Sequence, residues 1–427
     1  MGIFSGARTI ARDTYKNLTL KKLYPDSYRK YAKKPVIPGK TVFLEIREKS
    51  LTDNFRLIRA ALEKREQKTE AGTHYQTSLV CLGEGVENRA AVIRNCMAAI
   101  PRIADAQFIF VNEVSYFLSC LPIRSETTVI QTWHACGAFK RFGYSTIGKG
   151  FGTTAEDLER YPVHNNFDYV TVSSPEVVWA YAEAFHMEDR RSSILPIGIS
   201  RTDMFFNRAY REKACGKVRW VLKQMAPQLL TGRSYAVDGG EDPLRPVLGK
   251  KIVLYAPTFR GSVANARSPQ ALDLPKMKRE LGRDHVLLIK HHPFVKKRPE
   301  IPESCRDFAF DMSDRLSIEE LLTSADICIT DYSSLVFEYS LFERPMIFFA
   351  FDLKDYQDER GFYYPPETMM PGPVCTTSDE VIGVIGRARE EFDLARVRAF
   401  KYRFMSACDG HATQRVLQIM DRCAQQQ

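Results

Sequence analysis

The chain has 427 residues, 44% hydrophobic and 26% charged, a globular composition too long for one ordinary core, so two domains are expected. No run reaches the ~18 apolar residues of a membrane span, and no apolar signal-peptide core follows the start. The net charge of +9 is concentrated: residues 1–40 hold ten cations against two anions, leaving about +1 for the other 387.

In chain order, that basic segment comes first. Phe4, Ala7, Ala11, Tyr15 and Leu18 follow a helical period, with Arg8, Arg12 and Lys16 in an adjacent row. A basic amphipathic helix of this kind lies on an anionic membrane surface, so residues 1–40 are expected to be a membrane-association arm. A solvated arm, or a helix packed on its own domain, is the alternative. Nucleic acid is not an expected partner, because no basic patch with interleaved aromatics recurs.

Strands are predicted at Val42–Ile46, Ser78–Leu82, Gln107–Val111, Thr127–Thr132 and Tyr169–Val172, with helices at Asn54–Lys64 and Glu87–Ile100. Residues Tyr144 to Asn165 show no clear period and read as a long loop. Residues 206–250 look like a linker: a basic helical piece, Arg208–Gln228, runs into Gly232–Gly249, dense in Gly, Pro and charge. The strand Lys251–Ala256, the helix Asp273–Leu281 and the strand His285–Ile289 open a second domain. A strand at Ile327–Thr330, an amphipathic helix after Ser334 and a strand at Met346–Phe351 continue it, and a helical stretch from Glu380 closes the chain. Strands alternating with helices imply parallel sheets covered on both faces. The expected fold is α/β, two Rossmann-like domains facing a cleft, 41–205 and 251–395, with 396–427 a helical tail. Ten cysteines include no Cys-x-x-Cys pair, and Cys81 and Cys328 sit in apolar runs, as reduced packing thiols of a cytosolic protein do.

Four short segments fall at strand ends, where open α/β sheets bind ligands. They are Trp133-His134 with Lys140 beyond, Thr258-Phe259-Arg260, Lys290-His291-His292-Pro293, and Asp331-Tyr332-Ser333-Ser334. A forked guanidinium, point cations, hydroxyls and the N–H donors of a helix start are what a pyrophosphate site requires. An N-cap on an ordinary helix, a structural histidine and surface cations are the plain alternatives. No Gly-x-x-x-x-Gly-Lys-Ser/Thr or Gly-x-Gly-x-x-Gly motif points to a P-loop or a dinucleotide site.

With Arg344-Pro-Met-Ile-Phe348, Arg360-Gly-Phe362 and Pro371-Gly-Pro-Val374, these segments make seven in order across Lys40 to Asp393. The chain thereby resembles the CDP-glycerol glycerophosphotransferases, the primases and polymerases of teichoic acids and related polymers. The resemblance implies a glycosyltransferase-B fold, with 41–205 as the acceptor domain and 251–395 as the nucleotide-binding domain. It implies transfer of glycerol phosphate or ribitol phosphate from CDP-glycerol or CDP-ribitol to a lipid-linked polyol-phosphate acceptor, releasing CMP. The place implied is the cytoplasmic face of the membrane, with an anionic membrane surface as partner, no cofactor and no metal. His134-Ala-Cys-Gly-Ala-Phe-Lys140 departs from the family's commoner His-Gly-Thr-Pro-Leu-Lys, and Glu338 stands where many members have Asp; the first departure leaves the polyol open.

On this reading His134 is the general base, which suits an imidazole near neutrality. His292, Arg260, Thr258, Lys290, Lys140, Ser333 and Ser334 are expected around the diphosphate, with Asp331 capping the helix and Glu338 near a ribose hydroxyl. Either His291 or His292 could face the site, and the family register favours His292. His74, His164, His186, His285 and His411 read as structural. A nucleotide-sugar glycosyltransferase or epimerase on the same fold, or a non-catalytic membrane- or polymer-binding homologue, is the competing reading.

Overall fold

The computed structural model describes residues 13–66, 74–149, 153–230, 249–262, 265–269 and 272–426. Contacts divide the chain into two units: the described parts of 1–135, 141–203 and 406–427 form the first, and those of 136–140 and 204–405 the second.

Near-continuous apolar runs such as Ala106–Val111 can be buried on both faces only inside a covered parallel sheet. The first unit builds one from β1 (Ile37–Glu45), β2 (Thr77–Cys81), β3 (Ala106–Val111), β4 (Thr128–Gln131), β5 (Tyr169–Thr171) and β6 (Ile194–Leu195), all parallel, in the order β2-β1-β3-β4-β5-β6. The order reverses beside β1, so the crevice beyond the ends of β1 and β3 is the switch point. Phe43 and Phe110, paired in register, stack at 5.2 Å, and Phe55 joins them from the helix Asp53–Glu66. Burying each such ring contributes roughly 1.5–3 kcal/mol. The helix Ala412–Gln426, from the far end of the chain, supplies Val416, Leu417, Ile419 and Met420 to the same core.

The second unit holds β7 (Lys251–Tyr255), β8 (His285–Ile289), β9 (Ala309–Asp311), β10 (Ile327–Thr330), β11 (Met346–Phe349) and β12 (Val374–Cys375), parallel, in the order β12-β11-β10-β7-β8-β9. Counted from β7, this is the Rossmann order 3-2-1-4-5-6, with its switch point between β7 and β10. The segments ending in Arg260 and Ser334 leave the sheet on either side of that point.

Several expectations need correction. Described residues of the basic arm are part of the first unit: Tyr24 and Tyr28 are buried, and Tyr24 meets the Phe117 ring at 5.2 Å. Lys16 lies 4.5 Å from the centre of the Tyr116 ring and 4.6 Å from that of Tyr161, so this cation of the expected row is engaged in packing. Phe4, Ala7, Arg8, Ala11 and Arg12 lie outside the described residues, as does 231–248 of the expected linker. The rest of that linker is largely the helix Arg208–Met225, which belongs to the second unit because Ala214, Val218 and Leu222 bury one face and Lys217 bridges to Glu320 at 2.8 Å. The tail 396–427 splits at 405/406 between the units. The expected loop Tyr144–Asn165 contains the helix Ala155–Arg160, capped by Thr154. The helix Leu335–Ser340 is buried on every side instead of amphipathic, since Phe337 packs against Phe400 and Phe404. All ten cysteines are free thiols and eight are buried, so they act as packing residues.

Candidate active site

In the second unit the loops after β7 and β10 are stitched together by Asp331. Its carboxylate accepts from the Thr258 N–H and hydroxyl, each at 2.9 Å, and from the Tyr332 N–H at 2.7 Å. It therefore ties two strand ends across the switch point and does not cap the following helix, as the sequence reading had it. Ser334 occupies the N-cap position and no side chain caps that helix. Ser333 Oγ makes only a long contact with the Leu335 N–H, at 3.4 Å. Both serines remain half-buried at the helix start.

Arg260 is held differently from the expectation. Nε and Nη2 grip both oxygens of Asp352, at 2.6 and 2.9 Å, Nη2 reaches Asp331 at 3.0 Å, and Nη1 donates to the carbonyl and hydroxyl of Thr258. Those contacts match the five N–H donors of a guanidinium, so the fork is committed to protein carboxylates and not offered to a diphosphate. The cation also lies over the Tyr332 and Tyr356 rings, which stack at 4.2 Å. Lys290 is likewise turned away, its Nζ donating to the carbonyls of Ser313 and Leu316 at 2.8 and 2.6 Å. Glu338 is buried in its helix.

The histidine pair separates cleanly. His291 is buried, with Nδ1 against the Ser268 hydroxyl and its main-chain N–H on Ser313. His292 sits between the rings of Phe259 and Phe294, beside Lys140. Phe294 N–H donates to His292 Nδ1 at 3.2 Å, and an amide can only donate, so the neutral ring carries its proton on Nε2. Burial, aided by the Lys140 charge, lowers the His292 pKa to about 4, which keeps the ring neutral near pH 7. Lys140 pairs by its backbone with Phe362, and its Nζ reaches the Tyr356 hydroxyl at 3.4 Å. Arg360 lies over Phe259 and Tyr356 and bonds the Gly261 carbonyl. Thr258, Arg260, Asp331, His292 and Lys140 thus share one neighbourhood with Ser333 and Ser334, while Lys290 and His291 face elsewhere. Asp352, Tyr356 and Arg360 are its members that the sequence reading did not assign; the Arg360-Gly-Phe362 motif was the one available signal.

In the first unit His134 follows β4. Its Nδ1 lies 3.2 Å from the Asn112 carbonyl and 3.1 Å from Glu113 Oε1. A carbonyl only accepts, so Nδ1 bears the proton and Nε2 carries the lone pair. Protein crowding lowers the pKa below that of an ordinary imidazole, opposed by the Glu113 carboxylate, although 47% of the side-chain surface stays open. Glu113 is in turn held by Arg47 at 2.7 Å. The preceding residue, Trp133, has a left-handed backbone at φ 53°, a strained conformation for a bulky residue. Gln131 Oε1 accepts the Trp133 N–H, Asn54 Nδ2 binds its carbonyl, and its ring stacks on Phe142, which together hold the turn that presents His134. Glu113 directly follows Asn112 at the end of β3, and that polar pair was the overlooked signal.

A profile of the family described as CDP-glycerol:poly(glycerophosphate) glycerophosphotransferase matches residues 27–224 and 240–421. The chain is 36% identical to the teichoic acid ribitol-phosphate primase of Bacillus spizizenii over 90% of each chain. It is 33% identical to the teichoic acid poly(ribitol-phosphate) polymerase of the same organism over 92% of this chain, spanning 58% of that longer protein. Among solved structures, the wall teichoic acid polymerase TagF superposes with a TM-score of 0.72 at 23% identity, covering 100% of this chain and 99% of the other. A UDP-N-acetylglucosamine 2-epimerase from Listeria monocytogenes follows at 0.51 and 9% identity over 92% of this chain and 98% of that one. These likenesses fix the fold as two parallel-sheet domains of the glycosyltransferase-B type.

Proposed function

The chain belongs to the CDP-glycerol:poly(glycerophosphate) glycerophosphotransferase family, and from that premise we propose which residues carry each part of its reaction. The enzyme transfers a polyol phosphate from a CDP-alditol to a hydroxyl of a teichoic-acid-type polymer and releases CMP. The acceptor oxygen bonds to the β-phosphorus, the bond from that phosphorus to the bridging oxygen breaks, and its electron pair leaves with CMP. Such a reaction asks for positioning and charge stabilisation more than covalent chemistry.

His134 Nε2 takes the acceptor proton. The observation that carries this role is the anchoring of Nδ1 by the Asn112 carbonyl and Glu113, which leaves the basic nitrogen outward. His292, with the opposite tautomer, donates from Nε2 to a diphosphate oxygen. Lys140 and Arg360 supply charge, and Ser333 and Ser334 supply hydroxyls at an uncapped helix start. Arg260 is a positioning residue that fixes Thr258, Asp331 and Asp352.

The donor we favour is CDP-ribitol, supported by the 36% and 33% identities to ribitol-phosphate enzymes against 32% to the glycerol-phosphate primase of Bacillus subtilis. The acceptor is lipid-linked, and the enzyme works at the cytoplasmic membrane face. The test is CMP release from CDP-ribitol, CDP-glycerol and UDP-sugars with a lipid-linked acceptor analogue, for the native chain and His134→Ala. CDP-ribitol should give the highest kcat/KM, and the variant should lose about 10²–10⁴ in kcat. Activity of His134→Ala within about tenfold of the native enzyme would remove the base; preferential UDP release would remove the donor.

A further inference from the structure

We infer that the pocket beyond β1 and β3 of the first unit is a subsite for the terminal alditol phosphate of the acceptor, read by Arg201, Asn112 and Thr52 beside His134. This rests on the function proposed above and deepens it. The pocket holds about 300 Å³, at the small end of ligand sites, and lies at the sheet's switch point. Its lining includes Ser50, Thr52, Asn54, Asn112, His134 and Arg201, a set rich in amides, hydroxyls and one guanidinium. Such a lining suits a ligand with several hydroxyls and a phosphate, not an apolar one.

Asn112 supplies the sharpest observation. Its Nδ2 donates to Glu45 Oε2 at 2.9 Å and to Thr52 Oγ1 at 3.0 Å. The carboxylate accepts, which settles the amide orientation and leaves Oδ1 as an acceptor. That oxygen has no partner among the described residues, although the residue is only 4% exposed. A buried acceptor left unpaired costs roughly 1–3 kcal/mol, and because the oxygen itself has almost no open surface, a ligand hydroxyl would satisfy it only after a small shift of the pocket wall. Asn54 pre-organises the remainder: its Oδ1 accepts the Arg201 N–H at 2.7 Å while its Nδ2 holds the Trp133 carbonyl at 2.9 Å. The backbones presenting Arg201 and His134 are therefore bound to one buried side chain. Glu48, exposed at the rim, can accept a further polyol hydroxyl.

The experiment uses the full chain and two variants, Arg201→Gln and Ser50→Phe, the latter filling the pocket from an exposed position. Melting temperatures check that each is folded. The acceptor KM should rise at least tenfold in both, with the CDP-ribitol KM within about twofold of native. Saturation-transfer NMR with ribitol 5-phosphate alone should show binding to the native chain and its loss in Ser50→Phe. An unchanged acceptor KM in a folded Ser50→Phe, or a rise in the donor KM instead, overturns the assignment. If the native chain releases CMP from no CDP-alditol, the reaction reading fails, and the NMR comparison still decides whether the pocket takes an alditol phosphate.

Discussion

In the proposed mechanism His134 acts through one nitrogen because the other is tied down. Glu113 raises the pKa of the ring while crowding lowers it, and the lowering wins. The base is the neutral form, so transfer should fall as pH drops through a value below the ordinary ~6.5. In Glu113→Gln the raising charge is gone. The acid limb of kcat against pH should move lower still, while the Asn112 carbonyl keeps hold of the ring. An unmoved acid limb would show that Glu113 does not act on the imidazole. Arg260 makes the contrasting case. Its removal strands Asp331, 2% exposed, and Asp352 without their cation, a change that costs about 3–5 kcal/mol. Denaturant unfolding of Arg260→Ala should show a loss of that order, with part restored by adding Asp352→Asn. Native stability with a raised KM for the donor would instead mean that the fork grips phosphate.

At the level of elements, Gly137 sets how closely the segment 136–140 approaches the helix Leu335–Ser340. Its φ is 61°, and a Cβ there would sit 2.3 Å from the Phe337 ring, itself locked between Phe400 and Phe404. Gly137→Ala should therefore cost about 1–3 kcal/mol, seen as a melting temperature several degrees lower. A melting temperature equal to that of the native chain would mean that the helix yields. Most strands with long apolar runs were legible in the sequence, because burial on both faces leaves a continuous signal in Ile252–Tyr255 or Phe108–Val111. The edge strands β6, β9 and β12 were not, since two or three residues carry no period. The strand-end motifs pointed to the candidate site, but their side-chain partners were hidden. Asp352 lies 92 residues from Arg260, and nothing near Lys290 announces that two carbonyls will take its ammonium. Asp331 looked like a cap because local spacing cannot reveal a bond to Thr258, 73 positions away.

For the whole molecule, the proposed attachment to a membrane would fall to residues that packing leaves outside. Lys21, Lys22, Arg29 and Lys30 are exposed, and Leu18 is 60% exposed beside them. Replacing these four cations with Gln should lower binding to anionic vesicles in sedimentation, since each is worth up to ~1 kcal/mol near such a surface. Unchanged binding would assign attachment elsewhere. Truncating the arm is the poorer test, because Tyr24 and Tyr28 leave the core with it.

The helix Ala412–Gln426 gives the chain an unusual order of completion. Val416, Ile419 and Met420 finish a core begun by Phe43 and Phe55, so the domain translated first closes last. At roughly 5–20 residues per second, a ribosome leaves the nascent β1 waiting on the order of half a minute for its final wall. A stop codon just before residue 412 would thus injure the earlier-made of the two units, and would leave the later one whole.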